Sequence, residues 1–431
     1  MKRVVVIGGG WAGCAAAVAA KKAGADKVIL LERCDMLLGT GLVGGIMQNN
    51  GRFTAQEEMT AMGGGDLFGL INSVSRHHNV DFPGHKHASL YDVTKIEPTV
   101  RSFLKSLGIE IQDRTRVVDI KQEGKVSLKA MITEGEREIA GDVFIETTGT
   151  AGPQGNCARF GNGCAMCIYR CPTFGPRTSI AGKMGVEEKY GRKDDGTAGA
   201  MSGSCKIHKE SLSPKIVAEL EKKGVVVVPV PDRLGKGDKM LKAKACQQYA
   251  LEEYSRNLVL LDTGHAKLMA PFFPLELLRQ VPGFENASFV DPYSGGVGNS
   301  IRFLTMSPTN PNMKTKGVEN LFCAGEKAGP FVGHTEAIVT GTLAGHNSVR
   351  FLEGRNLVQL PNSLACGDII SQVTAAMEEE KGPNRKFTFS GAQYFQHMKE
   401  QRLYTVDVDE IRRRVESCQL TDVFSGGPIV S

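Results

Sequence analysis

The chain lacks any run of 18 or more apolar residues, which excludes a membrane-spanning helix on length alone. It also lacks the small-residue cleavage site of a signal sequence, because "MKRVVVIGGG" enters a strand at once, and a cytoplasmic protein is expected. Neither sign of charge is in excess: 52 Lys and Arg against 47 Asp and Glu leave a net charge of +5 over 431 residues. So diffuse a charge permits a nucleic-acid partner without arguing for one. There is no internal repeat, and the 51 glycines gather in short turn motifs rather than in a low-complexity tract. The 11 cysteines are not expected to form disulfides in a reducing compartment. The chain is longer than one hydrophobic core supports, so two or three subdomains around a shared core are expected.

What is present begins at the N-terminus with "RVVVIGGGWAGCAAAVAAKKAGADKVILLER". The apolar run Val4 to Ile7 reads as a buried parallel strand. Gly8, Gly10 and Gly13 follow in G-x-G-x-x-G spacing, then an alanine-rich helix, then a second strand, Val28 to Leu31, ending in Glu32. The first glycine permits a tight turn, the second lets backbone approach a pyrophosphate, and the third lets helix pack on strand. The helix N-terminus offers unpaired N–H groups to phosphates, and Glu32 stands where a ribose hydroxyl needs an acceptor. Two later segments favour FAD over NAD. "GDVFIETTGTAG" (141–152) is a short apolar strand ending in a Thr-Gly turn, and "GVENLFCAGEKAGPFVGHTEAIVTGTLAGHNSVR" (317–350) is a strand, a Gly-Glu turn and a long small-residue helix. Such a returning helix brings its N-terminus to the pyrimidine edge of a flavin, where it can stabilise negative charge. No second glycine fingerprint for a nicotinamide cofactor is found; "GGGDLFG" (63–69) and "SGGVGNS" (294–300) have no obvious strand before and helix after.

These segments resemble the two-dinucleotide-binding-domain flavoproteins of the glutathione-reductase type. "GGGWAGCAAAVAA" with "CAGEKAGPFVGHTEAIVTGTLAG" is similar to the glucose-inhibited-division family and to the folate- and FAD-dependent RNA uridine methyltransferases. "LPNSLACGDIISQVT" (360–374) is faintly similar to the segment after the last FAD helix of those methyltransferases, and "LLERCDMLLGTGLVGGI" resembles a broader family that includes heterodisulfide reductase flavin subunits. The resemblance covers about half the chain and implies FAD contacts from Gly8, Gly10, Gly13, Glu32, Gly149, Gly325 and Glu326. Glu326 stands where many relatives carry aspartate. An RNA partner and tetrahydrofolate are implied by the methyltransferase branch.

One motif departs from those relatives. "GNGCAMCIYRCPTFGP" (161–176), with Cys157 upstream, gives Cys157-x6-Cys164-x2-Cys167-x3-Cys171-Pro172. Its C-x2-C-x3-C-P portion matches ferredoxin ligand spacing, and a [4Fe-4S] cluster on Cys157, Cys164, Cys167 and Cys171 is expected, with Cys205 as the substitute for Cys157. Zinc on the same thiolates is the rival. A cluster near the flavin would relay single electrons, with a ferredoxin-type protein as donor and a small molecule as substrate, or with another protein as the substrate of an electron-transfer subunit.

His334 and Glu336, at the start of the returning helix, are the acid–base candidates, with simple capping by His334 as the alternative. "SRHHNVDFPGHKHASLYD" (75–92) carries His77, His78, His85 and His87 in a loop-like context, read as a solvated substrate-facing loop rather than a metal site. Arg302 offers a bidentate carboxylate contact or a plain ion pair. Cys34 and Cys323 are read as structural thiols. The expected architecture is α/β: a Rossmann-like FAD domain split between 1–150 and 290–355, an inserted α+β substrate and iron–sulfur domain at 151–289, and a helical cap at 356–431. The cap is a candidate contact for a homo-oligomer.

Overall fold

The computed structural model describes residues 1–150, 178–192, 196, 200–202, 204–231, 234, 251–270, 273–290, 300–302 and 305–426. Its central layer is a parallel sheet of order β17-β10-β1-β2-β6. The strands are β1 (Arg3–Ile7), β2 (Lys27–Leu31), β6 (Glu110–Gln112), β10 (Val143–Glu146) and β17 (Leu321–Cys323). β1 and β10 are buried on both faces, which is why "VVVI" and "VFIE" read as unbroken apolar runs rather than alternating ones. The strand order makes the class α/β with a Rossmann-like core, as the fingerprint predicts.

Helix α1 (Trp11–Lys22) covers one face of this sheet, pressed by the returning helix His334–Leu352. Both are rich in small residues for a physical reason. A Cβ at Gly341 would collide with the Ala12 carbonyl oxygen, and one at Gly345 with that of Ala16, so the two backbones pack in direct contact.

Three antiparallel sheets are added to this core. One, of order β7-β8-β9, joins Val117–Glu123, Ser127–Thr133 and Glu138–Ala140. Another, of order β3-β5-β4, joins Ile46–Met47, His85–Tyr91 and Ser75–Phe82. The third, of order β12-β15-β14-β13, joins Cys205–Ile207, Ala266–Leu268, Asn257–Asp262 and Val225–Pro229. β11 (Ala200–Ser202) and β16 (Ser300–Arg302) pair separately. The sheet ending in the valine-rich β13 has its own core with Phe273, Phe284 and Leu278.

The histidine-rich segment is not a loop. It is the β4–β5 hairpin, turned at Gly84 (φ +74°), with Val80, Phe82, Ala88 and Leu90 buried against Val259 and Leu261. The histidines occupy hairpin positions, and two of them reach partners outside it: His77 bonds Asp262 at 2.9 Å and His85 bonds Asn49 at 2.9 Å. In "GGGDLFG" the glycines turn between two helices, Gly51–Ala61 and Asp66–Ser73, and the last four residues open the second, so a helix precedes the turn rather than a strand. The C-terminal region is helical, and Met398, Val415 and Phe424 join the principal core. Asp407 caps the helix Val408–Ser417, accepting from the Asp409 and Glu410 N–H groups at 3.0 Å. Among the described residues no helix is long and apolar enough to cross a membrane.

Candidate functional site: a dinucleotide cleft

The carboxyl ends of β1, β2, β10 and β17 open into an elongated cleft of about 1230 Å³, measured with its solvent mouth. This is where open α/β sheets bind ligands. Gly8, Gly10, Glu32, Gly149, Gly325 and Glu326 all line it. Gly13 does not line it but makes it possible: a Cβ there would be driven into the Gly8 carbonyl oxygen.

Three glycines illustrate three different requirements. Gly8 has φ +106°, and a Cβ would sit 2.6 Å from the Thr147 oxygen, so the turn needs glycine for both conformation and space. Gly13 is a helix–turn contact. Gly10 has no protein atom within 4 Å of where a Cβ would lie. Its bare backbone borders open cleft at the start of α1, where no side chain caps the helix. That is the cradle a pyrophosphate needs, with uncapped N–H groups and the positive end of the helix dipole beside it.

Glu32 is pinned at the end of β2. One carboxylate oxygen accepts the Gly9 N–H at 2.7 Å and the other the Cys34 N–H at 2.9 Å. A carboxylate has about four lone-pair sites, so capacity remains for ribose hydroxyls. Cys34 lines the same end, where burial together with Glu32 pushes its thiol pKa up. Thr115, Arg116 and Val117 complete that end. Sequence reasoning missed them because nothing in "RTRVV" marks proximity to β2.

The opposite end is assembled from distant segments. Gly333 (φ +140°) and His334 start the returning helix there. The His334 ring lies 6.3 Å from the Trp11 ring, tilted by 42°, and its Nδ1 is 3.4 Å from the Tyr91 hydroxyl. Glu326 lies on the short turn Gly325–Ala328 and accepts from the Thr150 hydroxyl at 3.2 Å. The Gly325 N–H is tied to the Thr340 hydroxyl at 2.9 Å. Trp11 was also missed, although its position inside the fingerprint was a usable signal.

Glu336, expected beside His334 as an acid–base group, does not line the cleft. It is fully buried, and one of its oxygens accepts from Arg52 Nε at 3.3 Å, the Thr388 hydroxyl at 2.9 Å and the Phe389 N–H at 2.9 Å. Two residues along the helix from His334, it lies behind Gly333 against the seam with residues 387–390. There it anchors the helix start through Arg52, Thr388 and Phe389.

A second buried ionic group lies behind the cleft. Lys327 is 1% exposed and pairs with Glu188, with Glu146 at 3.6 Å and with the Ser179 hydroxyl at 2.9 Å. Burial works against its charge, but Glu146 and Glu188 outweigh it and hold the ammonium pKa above the ordinary lysine value. Glu146 also accepts the Ile180 and Ala181 N–H groups at 3.0 and 2.9 Å, fastening residues 179–188 to the end of β10. Thr178, next to this anchor, lines the cleft.

The four cysteines Cys157, Cys164, Cys167 and Cys171 lie outside the described residues. Among the described residues no three His, Cys, Asp or Glu side chains are grouped to hold a metal, and Cys205 is buried in the β12 core. Arg302 lies on β16, but its side chain is outside the described part. Cys323 is fully buried, where desolvation raises its thiol pKa, and it accepts from the Thr315 hydroxyl at 3.2 Å.

The residues therefore fit FAD: an open glycine cradle, a pinned acid at the ribose end and a helix N-terminus at the far end. Residues 3–231 and 240–356 match the family model described as "Glucose inhibited division protein A". A tRNA uridine 5-carboxymethylaminomethyl modification enzyme, MnmG, of Desulfotalea psychrophila is 35% identical over 123 residues, 28% of this chain and 18% of that protein. The methylenetetrahydrofolate–tRNA-(uracil-5-)-methyltransferase TrmFO of Bacillus pumilus is 34% identical over 110 residues, 25% of this chain and 24% of that protein. The matched stretches thus span less than a quarter of either relative. The crystal structure of Aquifex aeolicus GidA superposes with a TM-score of 0.61 at 15% identity, covering 96% of this chain and 76% of that one. The chain belongs to the glucose inhibited division protein A family of FAD-dependent enzymes.

Proposed function

We propose that this protein is an FAD-dependent oxidoreductase that modifies a uridine in RNA, with methylenetetrahydrofolate as the one-carbon source and His334 as the base beside the flavin. The observation that carries the redox reading is the cleft itself, with a glycine cradle at one end and the uncapped start of the returning helix at the other. MnmG and TrmFO, by their names, act on uridine or uracil in tRNA, and they supply the substrate class. When bound, FAD supplies two-electron redox chemistry. Gly8, Gly10 and the first turn of α1 would hold its pyrophosphate, and Glu32 its ribose. Glu326 and the helix start at Gly333 would face the flavin half, where the helix dipole favours negative charge. His334 would hold or move a proton at its imidazole.

The test is incubation of the flavin-loaded protein with unmodified tRNA, methylenetetrahydrofolate and a reductant, followed by mass analysis of the nucleosides. A methylated or otherwise extended uridine, lost in His334→Gln, is the expected result. No change in the nucleosides, and binding of tRNA that does not weaken with salt, would overturn it.

A second reading is favoured by one sequence observation, the C-x2-C-x3-C-P run ending at Cys171 and Pro172. On this reading the protein is an iron–sulfur flavoprotein acting on a small molecule, with electrons from a ferredoxin-type donor. About four irons per chain, with an EPR signal on reduction, would support it. Stoichiometric zinc without iron would remove it.

A further inference from the structure

We infer that Tyr91 fixes the tautomer of His334, so that Nδ1 carries the hydrogen and Nε2 carries the lone pair; this rests on the reading of His334 as the base. Tyr91 ends β5 and is fully buried. Its phenol has one hydrogen, and the Gly41 carbonyl oxygen stands 2.6 Å away. A carbonyl can only accept, so the phenol donates in that bond and its hydrogen is committed. What remains on the phenol oxygen is accepting capacity.

The nitrogen facing that oxygen is His334 Nδ1, at 3.4 Å. Two acceptors placed opposite each other repel, so the imidazole nitrogen there brings the hydrogen. A neutral imidazole holds one hydrogen between its two nitrogens, and Nε2 is then the acceptor. The chain of donors runs in one direction: Nδ1–H to the Tyr91 oxygen, and the Tyr91 hydroxyl to the Gly41 carbonyl.

The packing holds this arrangement in register. Trp11 meets Tyr91 edge-on, with ring centroids 6.2 Å apart and planes at 85°, and its ring also lies 6.3 Å from the His334 ring. Gly44, in the short helix α2 (Gly41–Gly44), leaves the slot for the imidazole, since a Cβ there would overlap the ring. Burial pushes the Tyr91 phenol pKa up, so the hydroxyl remains a donor at all ordinary pH values. Four separate stretches of chain therefore converge on one ring: the fingerprint, α2, β5 and the returning helix. Tyr91 is a positioning residue, acting on the cleft through His334.

The test reads the tautomer directly. Long-range ¹H–¹⁵N spectra of the ¹⁵N-labelled, flavin-loaded protein are recorded at pH 8.5, and the His334 signals are assigned by their loss in His334→Gln. The expected pattern is a pyrrole-like Nδ1 and a pyridine-like Nε2. Tyr91→Phe should shift the tautomer ratio toward Nε2–H by roughly tenfold, the net effect of one hydrogen bond. Gly44→Ala, which leaves the Tyr91 to Gly41 bond in place, should displace the ring and erase the Nδ1–H preference by a separate route. A wild-type ring with its hydrogen on Nε2, or a Tyr91→Phe ring identical to wild type, would overturn the inference. Wild-type turnover in His334→Gln would instead remove the base role alone, because the tautomer is read without activity.

Discussion

The two ends of the cleft are built on different principles. The cradle end is largely local: Gly8, Gly10, Gly13 and Glu32 lie within one βαβ unit, the Glu32 carboxylate is held by the Gly9 N–H, and only Thr147 closes on the Gly8 turn from outside it. The far end is global: His334, Tyr91, Trp11 and Gly44 come from four stretches of chain, and the helix start is braced by Arg52 and Glu336. A local site tolerates change elsewhere and fails sharply at its own glycines. A global site inherits the stability of everything that converges on it.

The cradle is tested through its own glycines. Gly13→Ala forces α1 off the Gly8 turn, at a cost of about 3 kcal/mol, and should lower both flavin content and melting temperature. Gly10→Ala has no protein atom to strike, so its melting curve without flavin should match wild type while FAD binding weakens. Equal loss of stability in the two variants would dissolve the distinction between a packing glycine and a binding glycine.

At the far end, Arg52→Ala leaves the Glu336 carboxylate buried without its cation and should destabilise the fold by about 3–5 kcal/mol, read by urea unfolding. Glu336→Gln keeps the contacts to Thr388 and Phe389 in part and should cost less. Were Glu336→Gln to keep its stability but lose turnover, its assignment as an anchor would be wrong.

Further along the returning helix, His346 is 7% exposed and packs edge-on against Phe424, with ring centroids 5.2 Å apart. Burial first, then Arg350 and Arg355, push its pKa down to about 4. The sign follows from linkage. The unfolded ring titrates near its ordinary value while the folded ring stays neutral, so stability is full above pH ~6.5 and falls as pH drops toward the folded value. The loss by pH 5 should be about 2 kcal/mol. His346→Leu should flatten this acid limb in urea titrations at pH 8 and pH 5; parallel limbs would refute it.

The smallest effect is a control remote from both ends. Asp407→Ala removes the cap on Val408–Ser417 and should cost about 1 kcal/mol without altering flavin affinity.

The sequence by itself determined the cradle. The apolar run Val4 to Ile7 reads as a strand, the glycines follow in fingerprint spacing, and Glu32 stands at the end of the next strand; this order is local in sequence, so it is legible without a structure. The small residues of "TEAIVTGTLAGHN" were legible as a helix, but not as one whose Gly341 and Gly345 lie on the backbone of α1. The histidine segment misled because its polar alternation and Pro-Gly turn hide a hairpin whose apolar face is completed only by β14. Glu336 misled for a related reason: proximity to His334 in sequence does not say which side of a helix faces the cleft, and residues 387–390 decided it by packing there. Tertiary structure alone brought Tyr91 to His334 and Lys327 between Glu146 and Glu188. Those partners are 139 to 243 residues apart, and no local pattern encodes contacts made only when sheets and helices close around a common core.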